Sequence, residues 1–193
     1  MLVKLFKLSE AQLGQVVNLV RDEMPELLRI TLSSLIVMMV HARDLIEHLV
    51  RKKVRNIDDF EWICQMRYYY IEEDNSIDVR MITTVLKYCN EFLRNEGRLV
   101  ITELTDRCYR TLMSALQLNL GGAPEGPAGT GKSETTKDLA KAVGAYCIVF
   151  NCGDGLNAKA MAQFFKGIAS GGNWSCFDEF NRIELEVLSV IAQ

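Results

Sequence analysis

A glycine-rich segment in the second half of this 193-residue chain carries the clearest chemistry. Glycines accept the backbone torsions that turn successive N–H groups toward an anion, and a helix that follows adds the positive end of its dipole. The pattern Gly-x-x-x-x-Gly-Lys-Ser/Thr of phosphate-binding loops predicts that the lysine reaches the β- and γ-phosphates and that the hydroxyl ligates Mg²⁺. The residues that satisfy this pattern are Gly126, Pro127, Ala128, Gly129, Thr130, Gly131, Lys132 and Ser133.

An acidic motif follows 46 residues after the lysine of this loop. The mostly apolar residues 174–177 predict a buried strand, which would deliver Asp178 to its carboxyl end, where an aspartate can hold the Mg²⁺ shell. Glu179 can then orient and polarise an attacking water. The alternative is that the acidic pair only caps the next helix, for which Asn181 and Glu184 form a capping arrangement. Together with the loop, the pair favours a nucleotide site.

The elements around these motifs follow an α/β pattern. Residues 118–125 lead into the loop as a first strand, residues 146–151 form a β-rich run, and a helical pattern spans about residues 156–170. The helix that starts in the loop is expected to end near Val143, because Gly144 follows it. Strand, loop, helix, strand, helix and strand in this order are typical of a parallel sheet.

The first 120 residues predict long regular elements, since they hold only two of the 13 glycines. Ser9 is a plausible N-cap for a first helix, and Pro25 stands where a second helix could begin. Residues 27–50 keep apolar side chains at helical spacing. This part is therefore expected to be helix packed on helix.

The segment that follows gives mixed signals. Asn56 with Asp59 predicts a capped helix, and the tyrosines at residues 68–70 favour an extended segment. Residues 79–92 are compatible with strand or helix. Thr105 is expected to begin a further helix.

Composition limits the functional classes. The chain has 22 Lys and Arg against 25 Asp and Glu, a net charge of −3, with 49% hydrophobic and 24% charged residues. These proportions are typical of a soluble globular protein, and the weakly acidic balance argues against nucleic-acid binding. The longest uncharged apolar stretch, residues 30–40, is too short to cross ~30 Å of hydrocarbon, and no signal peptide is recognisable. We expect no nucleic-acid and no membrane partner.

The cysteines indicate a reducing compartment. Six cysteines form no Cys-x-x-Cys pair, and two histidines cannot complete the usual zinc spacings. A cytosolic-type environment is therefore the default expectation. Cys147, Cys152 and Cys176 fall at buried-strand positions and are interpreted as packing residues.

Longer runs around the two motifs resemble the first AAA+ module of dynein heavy chains of the axonemal type. The resemblance implies an α/β P-loop NTPase core with an incomplete parallel sheet, preceded by a mainly α-helical linker segment. Upstream runs resemble the end of the dynein linker and the entry into that module. The runs around the motifs are residues 121–126, 134–141, 149–152 and 176–182, and the upstream runs are residues 56–62, 65–70, 99–102 and 104–109.

The resemblance also implies a division and site roles. Residues 1–95 would be the C-terminal part of the linker that swings in the power stroke, and residues 96–193 would be the N-terminal half of a truncated AAA+ module. Leu99 and Val100 would lie against the adenine of ATP. The residues implied for catalysis are Glu179 and Lys132, those for the phosphates are 126–133, and those for Mg²⁺ are Ser133 and Asp178.

The function implied by the resemblance is ATP hydrolysis coupled to linker swing and to ciliary or flagellar movement. The implied partners are the remaining AAA+ modules of the same heavy chain, microtubules bound through other regions, and dynein intermediate and light chains. The implied location is the cytoplasm and cytoskeleton, in the axoneme of a cilium or flagellum.

The chain stops before the sensor strand and the helical lid of such a module. We therefore expect a fragment of a longer polypeptide, an ATPase in its complete form and inactive when isolated, with exposed strand edges that disfavour folding. The alternative is a non-catalytic fragment that acts as an interaction or assembly module. A nucleic-acid-handling AAA+ protein is a third interpretation, which the acidic balance weakens.

Overall fold

The computed structural model describes residues 2–94, 97–152 and 157–191. The chain forms two compact units: the first contains Met1–Tyr88 and Leu93–Glu125, and the second contains Cys89–Phe92 and Gly126–Gln193. Backbone hydrogen bonds fix the short segment in the second unit. The donors are the N–H groups of Cys89 and Glu91, and the acceptors are the carbonyls of Val143 (3.0 Å) and Gly144 (2.9 Å), respectively.

A helical hairpin opens the first unit. α1 spans Leu2–Arg21 and α2 spans Glu26–Arg51. Pro25 precedes α2 as predicted, since a helix start needs no N–H there. The prediction that Ser9 caps the first helix is wrong: apolar residues continue the helical spacing upstream, and α1 begins seven residues earlier. No helix in the described part of the chain is long and apolar enough to cross a membrane.

A single helical turn, α3, spans Phe60–Ile63. Its N-cap residue is Asp59, whose Oδ2 accepts hydrogen bonds from the backbone N–H groups of Arg55 (2.9 Å) and Asn56 (3.0 Å). Asn56 therefore does not cap this helix, and that part of the prediction is wrong. The asparagine instead belongs to the turn that Asp59 closes.

A three-stranded antiparallel sheet completes this stretch, in the order β1-β2-β3. The strands are β1 (Arg67–Ile71), β2 (Ser76–Met81) and β3 (Thr84–Lys87). The extended segment predicted at residues 68–70 is confirmed. The segment left open at residues 79–92 contains the end of β2 and all of β3, so the first unit adds a small sheet to its helices.

α4 spans Glu103–Gln117 and begins with a reciprocal capping box. The Thr105 N–H donates to Thr102 Oγ1 (3.3 Å), and the Thr102 N–H donates to Thr105 Oγ1 (2.7 Å). Thr105 is thus the third helical residue, which is why α4 starts two residues before the predicted position. The side chains of Tyr109 and Met113 are buried, with 2% and 0% exposure, and mark the face of α4 that packs in the interior.

The second unit alternates helices and strands. Its elements are α5 (Lys132–Ala142), β4 (Cys147–Asn151), α6 (Ala158–Gly171), β5 (Trp174–Asp178), a 3₁₀ turn (Phe180–Arg182) and α7 (Leu185–Ile191). β4 and β5 are parallel, with Cys147 opposite Trp174 and Asn151 opposite Asp178. The predicted α/β class with an incomplete parallel sheet is confirmed. The predicted start of α6 at residue 156 lies outside the described residues.

Residues 118–125 form no strand, contrary to the prediction. Asn119 adopts a left-handed φ of 55° just after α4. Gly121, Gly122 and Pro124 then follow, and glycine and proline weaken strand pairing because one lacks a side chain and the other lacks an N–H group. The chain therefore enters the glycine-rich loop as irregular backbone.

Aromatic side chains fix α6 against the sheet of the second unit. The ring centroids of Phe150 and Phe164 are 4.4 Å apart, and those of Phe164 and Phe177 are 5.7 Å apart. Strands β4 and β5 thus share one apolar face with α6 near their carboxyl ends. Cys152, Met161, Ile183 and Val187 form the buried centre of this cluster.

The cysteines of the second unit occupy packing positions. Cys147 and Cys176 lie half-buried in β4 and β5, and Cys152 is buried just after β4. Burial raises the pKa of all three thiols, that of Cys147 to about 11. Since the thiolate is the reactive form, these thiols are protected from modification at neutral pH.

Truncation of Leu49 tests the packing of the helical hairpin. Leu49 is 1% exposed and Leu27 is 68% exposed, and both lie in α2. Because a buried truncation leaves a cavity, Leu49→Ala should lower the free energy of unfolding by about 2–5 kcal/mol. The control Leu27→Ala should change it by less than about 0.5 kcal/mol. Urea denaturation followed by circular dichroism measures both, and equal losses would contradict the packing.

Alkylation tests the environment of Cys147. At pH 8, iodoacetamide should modify the exposed Cys108 first. Cys147 should stay largely unmodified, since a pKa of about 11 leaves roughly one thiolate in a thousand. Its labelling rate should rise about tenfold at pH 9 because the thiolate fraction rises tenfold. Peptide mass spectrometry measures both sites, and equal labelling at pH 8 would show that Cys147 is not protected.

Candidate nucleotide-binding site

The glycine-rich loop ends at the N-terminus of α5. Gly131 is the N-cap residue, with φ 79° and ψ 23°, and Gly129 has a φ of 75°. A Cβ at either position would meet nothing within 4 Å, so the left-handed torsion rather than lack of space requires glycine. The loop therefore reaches the start of α5 through a tight turn. The first N–H groups of that helix have no intrahelical partner and can bind an anion.

Lys132 turns back onto the loop that precedes it. Its Nζ donates hydrogen bonds to the carbonyl oxygens of Gly126 (2.9 Å) and Pro127 (2.7 Å). Thr130 Oγ1 donates to the same Pro127 carbonyl (2.9 Å). The ammonium charge thus lies at the loop, beside the backbone that would surround a phosphate. The exposed loop residues are Gly126, Pro127, Ala128, Gly129, Thr130 and Gly131.

A hydrogen bond joins the two predicted motifs. Ser133 Oγ donates to Asp178 Oδ1 at 3.0 Å, across 45 positions of sequence. Ser133 lies in the first turn of α5, and Asp178 is the last residue of β5. The structure thus brings the hydroxyl and the carboxylate together, as the two motifs require.

Ser133 and Asp178 could hold a magnesium ion. Ligands of octahedral Mg²⁺ lie about 2.0–2.1 Å from the ion, so adjacent ligand oxygens are about 3 Å apart, which matches the observed contact. In the described ranges, no group of three or more His, Cys, Asp or Glu side chains is arranged to hold a metal ion. The pair therefore suits Mg²⁺ that keeps water and phosphate oxygens in its shell, as is usual for this ion.

Glu179 has an unusual backbone conformation. Its φ of 54° and ψ of 38° are left-handed, and its N–H donates to Asp178 Oδ1 at 3.2 Å. It stands at the N-cap of the 3₁₀ turn, but its side chain makes no capping hydrogen bond. The interpretation that the acidic pair only caps a helix is therefore not supported. Asn181 lies within the 3₁₀ turn and does not cap α7.

Sequence reasoning missed one charged partner at this site. Arg182 Nη1 lies 2.9 Å from Glu179 Oε2, an ion pair between residues three apart. The spacing was visible in the sequence, but an exposed arginine three residues after a glutamate is too common to indicate a role.

A second ion pair places positive charge near β5. Lys137 Nζ lies 2.6 Å from Glu134 Oε1, on the face of α5 one turn after Ser133. The hydrogen bond that Lys137 donates to Glu134 raises the pKa of Lys137, and the nearby Cys176 and Asp178 act in the same direction. Lys137 therefore remains a cation beside the strand that ends in Asp178.

The residues predicted to contact adenine lie outside the second unit. Leu99 and Val100 belong to the first unit, just before α4, and are 36% and 65% exposed. Their contact with adenine stays a prediction. The roles assigned from sequence to Lys132, Ser133 and Glu179 likewise stay predictions, although the geometry places all three in the second unit.

Comparison with known proteins adds independent evidence. Residues 88–193 match the family described as the hydrolytic ATP binding site of dynein motor region. Over 192 residues, the chain is 59% identical to dynein axonemal heavy chain 3 of Homo sapiens, covering 100% of this chain and 5% of that protein. It is 57% identical over 192 residues to dynein axonemal heavy chain 12 of Mus musculus, covering 100% of this chain and 6% of that protein.

Dynein axonemal heavy chain 1 of Mus musculus is 54% identical over 190 residues, which cover 98% of this chain and 4% of that protein. The chain thus spans only 4–6% of the length of the curated relatives it matches. The family match covers more than half of the chain and includes the loop and the acidic strand end. The chain therefore belongs to the dynein heavy-chain family, of the axonemal type, and carries an ATP-binding region of the AAA+ fold.

Proposed function

We propose that this chain is the segment of an axonemal dynein heavy chain that binds ATP with Mg²⁺ and hydrolyses it. The observation that carries the proposal is the hydrogen bond between Ser133 and Asp178, which joins the glycine-rich loop to the acidic strand end. The match of residues 88–193 to a hydrolytic ATP-binding region supports the same conclusion.

The loop and the start of α5 bind the phosphates of ATP. Unpaired N–H groups and the helix dipole favour an anion at this position. The Lys132 ammonium already lies at the loop carbonyls of Gly126 and Pro127, and it exchanges them for β- and γ-phosphate oxygens when ATP binds. We also place Leu99 and Val100 against the adenine.

Ser133 on α5 and Asp178 on β5 would hold Mg²⁺. Bound Mg²⁺ supplies charge neutralisation at the β- and γ-phosphates. Glu179 follows Asp178 directly and accepts a hydrogen bond from the attacking water. The water oxygen bonds to the γ-phosphorus as the bond to the ADP oxygen breaks, and the proton of the water passes toward the Glu179 carboxylate.

We propose that residues 1–95 are the end of a linker and residues 96–193 the first half of an AAA+ module, so that hydrolysis drives linker movement. The partners are the remaining AAA+ modules, microtubules bound through other regions, and dynein intermediate and light chains. The site of action is the axoneme of a cilium or flagellum. The identity to axonemal heavy chains over nearly the whole chain supports this assignment.

Paired variants separate nucleotide binding from hydrolysis. They are compared in the chain itself and in an axonemal heavy chain that carries this segment in place of its own matching residues. Lys132→Ala should weaken ATP binding at least about tenfold, because a charge-assisted hydrogen bond to phosphate is lost. Glu179→Gln should keep ATP affinity within about twofold and slow turnover about 100-fold or more, because the proton acceptor is lost.

Titration calorimetry measures affinity, and phosphate release measures turnover. Lys166→Ala is the matched control, since Lys166 is an exposed cation on α6. Unchanged affinity in Lys132→Ala, or unchanged turnover in Glu179→Gln, would overturn the proposed roles. Absence of both binding and turnover in the heavy chain that carries this segment would favour the non-catalytic interaction fragment.

A further inference from the structure

Arg182 lies beside the proposed water-orienting carboxylate and is the one arginine in residues 126–193. We infer that Arg182 is a positioning residue, which holds the Glu179 carboxylate in the orientation that accepts a proton from the attacking water. The inference rests on the proposed ATP hydrolysis and deepens it. The Arg182 Nη1 and Glu179 Oε2 atoms are 2.9 Å apart, which is well within the distance of an ion pair.

The backbone brings these two side chains together. Glu179 occupies a left-handed conformation that non-glycine residues rarely adopt, and such conformations cluster at functional sites. The 3₁₀ turn that follows closes with a hydrogen bond from the Arg182 N–H to the Glu179 carbonyl, at 2.9 Å. The turn therefore returns Arg182 to the side of Glu179. The Glu179 N–H is bonded to Asp178 Oδ1, so the pair is anchored to the carboxylate that Ser133 contacts.

The ion pair divides the two carboxylate oxygens between two tasks. Among the residues that the structure describes, Arg182 contacts this carboxylate at Oε2. The other carboxylate oxygen, Oε1, is therefore assigned the role of accepting the proton. A glutamate side chain with three rotatable bonds samples many orientations, and an ion pair with a neighbouring guanidinium restricts them. Restriction of the proton acceptor raises the fraction of encounters with productive geometry.

The exposure of the pair indicates that its role is not fold stability. The Arg182 and Glu179 side chains are 58% and 41% exposed, and exposed ion pairs of this kind contribute little to folding. An Arg182 variant should therefore fold normally. Its effect should appear in the rate of hydrolysis.

The first test compares turnover in the axonemal heavy chain that carries this segment. Arg182→Met should lower kcat about fivefold to tenfold and leave KM for ATP within about twofold, because positioning acts on the chemical step. Arg182→Lys keeps the charge but loses the planar fork, so it should recover part of the rate. Lys166→Met, which removes an exposed cation on α6, is the control and should leave kcat unchanged.

A double-mutant cycle asks whether Arg182 acts through Glu179. Residual single-turnover hydrolysis is compared between Glu179→Gln and the double variant with Arg182→Met. If Arg182 works through this carboxylate, the second change should add less than about twofold. A further fivefold loss in the double variant would show an independent effect and overturn the inference.

A spectroscopic readout tests the contact without turnover. In the ¹⁵N-arginine-labelled chain, the guanidinium signal that is absent from Arg182→Lys belongs to Arg182. Glu179→Gln should shift this signal, because it removes the charged partner. Glu184 is an exposed carboxylate two residues after Arg182, and Glu184→Gln should leave the Arg182 signal unchanged. An Arg182 signal that is unchanged in Glu179→Gln would contradict the pair.

The outcomes distinguish this inference from the function on which it rests. If the heavy chain with this segment has no ATP turnover, or if Glu179→Gln turns over as fast as the parent, the proposed function fails and the inference fails with it. Suppose instead that the parent hydrolyses ATP and that Glu179→Gln hydrolyses it slowly. If Arg182→Met then has the same kcat as Lys166→Met, only the inference about Arg182 fails.

Discussion

The hydrogen bond from the Ser133 hydroxyl to the Asp178 carboxylate joins the first turn of α5 to the last residue of β5. At one end, the left-handed torsion of Gly131 is what allows the chain to leave the loop and start α5 at Lys132. At the other end, the parallel register that sets Asn151 opposite Asp178 fixes where β5 ends. Backbone geometry thus places Ser133 at the start of α5 and Asp178 at the end of β5.

Apolar packing supplies the stability that the polar site lacks. The loop residues and Glu179 are exposed, so their own burial adds little to folding. Phe150, Phe164 and Phe177 pack β4, α6 and β5 together just below the end of β5. Asp178 can therefore stay fixed while the groups around it remain open to a charged ligand.

The sequence predicted the features that depend on local geometry. The loop, α5, β4, α6 and β5 follow from glycine torsions, capping and periodicity, each contained in a few adjacent residues. Two errors, and one segment that the sequence leaves open, have a different origin. Ser9 lies inside α1 because apolar spacing extends upstream of it. Residues 118–125 lack a strand because glycines and a proline interrupt them. The sequence leaves residues 79–92 open because β3 depends on pairing with β2. The contact between Arg182 and Glu179 needs the 3₁₀ turn, which no sequence pattern indicated.

We propose that Ser133 and Asp178 form one half of a site for Mg²⁺ and nucleotide. The direct measurement is ATP affinity of the chain by titration calorimetry, with Mg²⁺ and with EDTA. Mg²⁺ should strengthen binding by about tenfold or more, and Ser133→Ala should remove most of that gain. Ser170→Ala, an exposed hydroxyl on α6, should retain it. A Ser133→Ala variant with the full Mg²⁺-dependent gain would contradict a role of Ser133 in holding Mg²⁺.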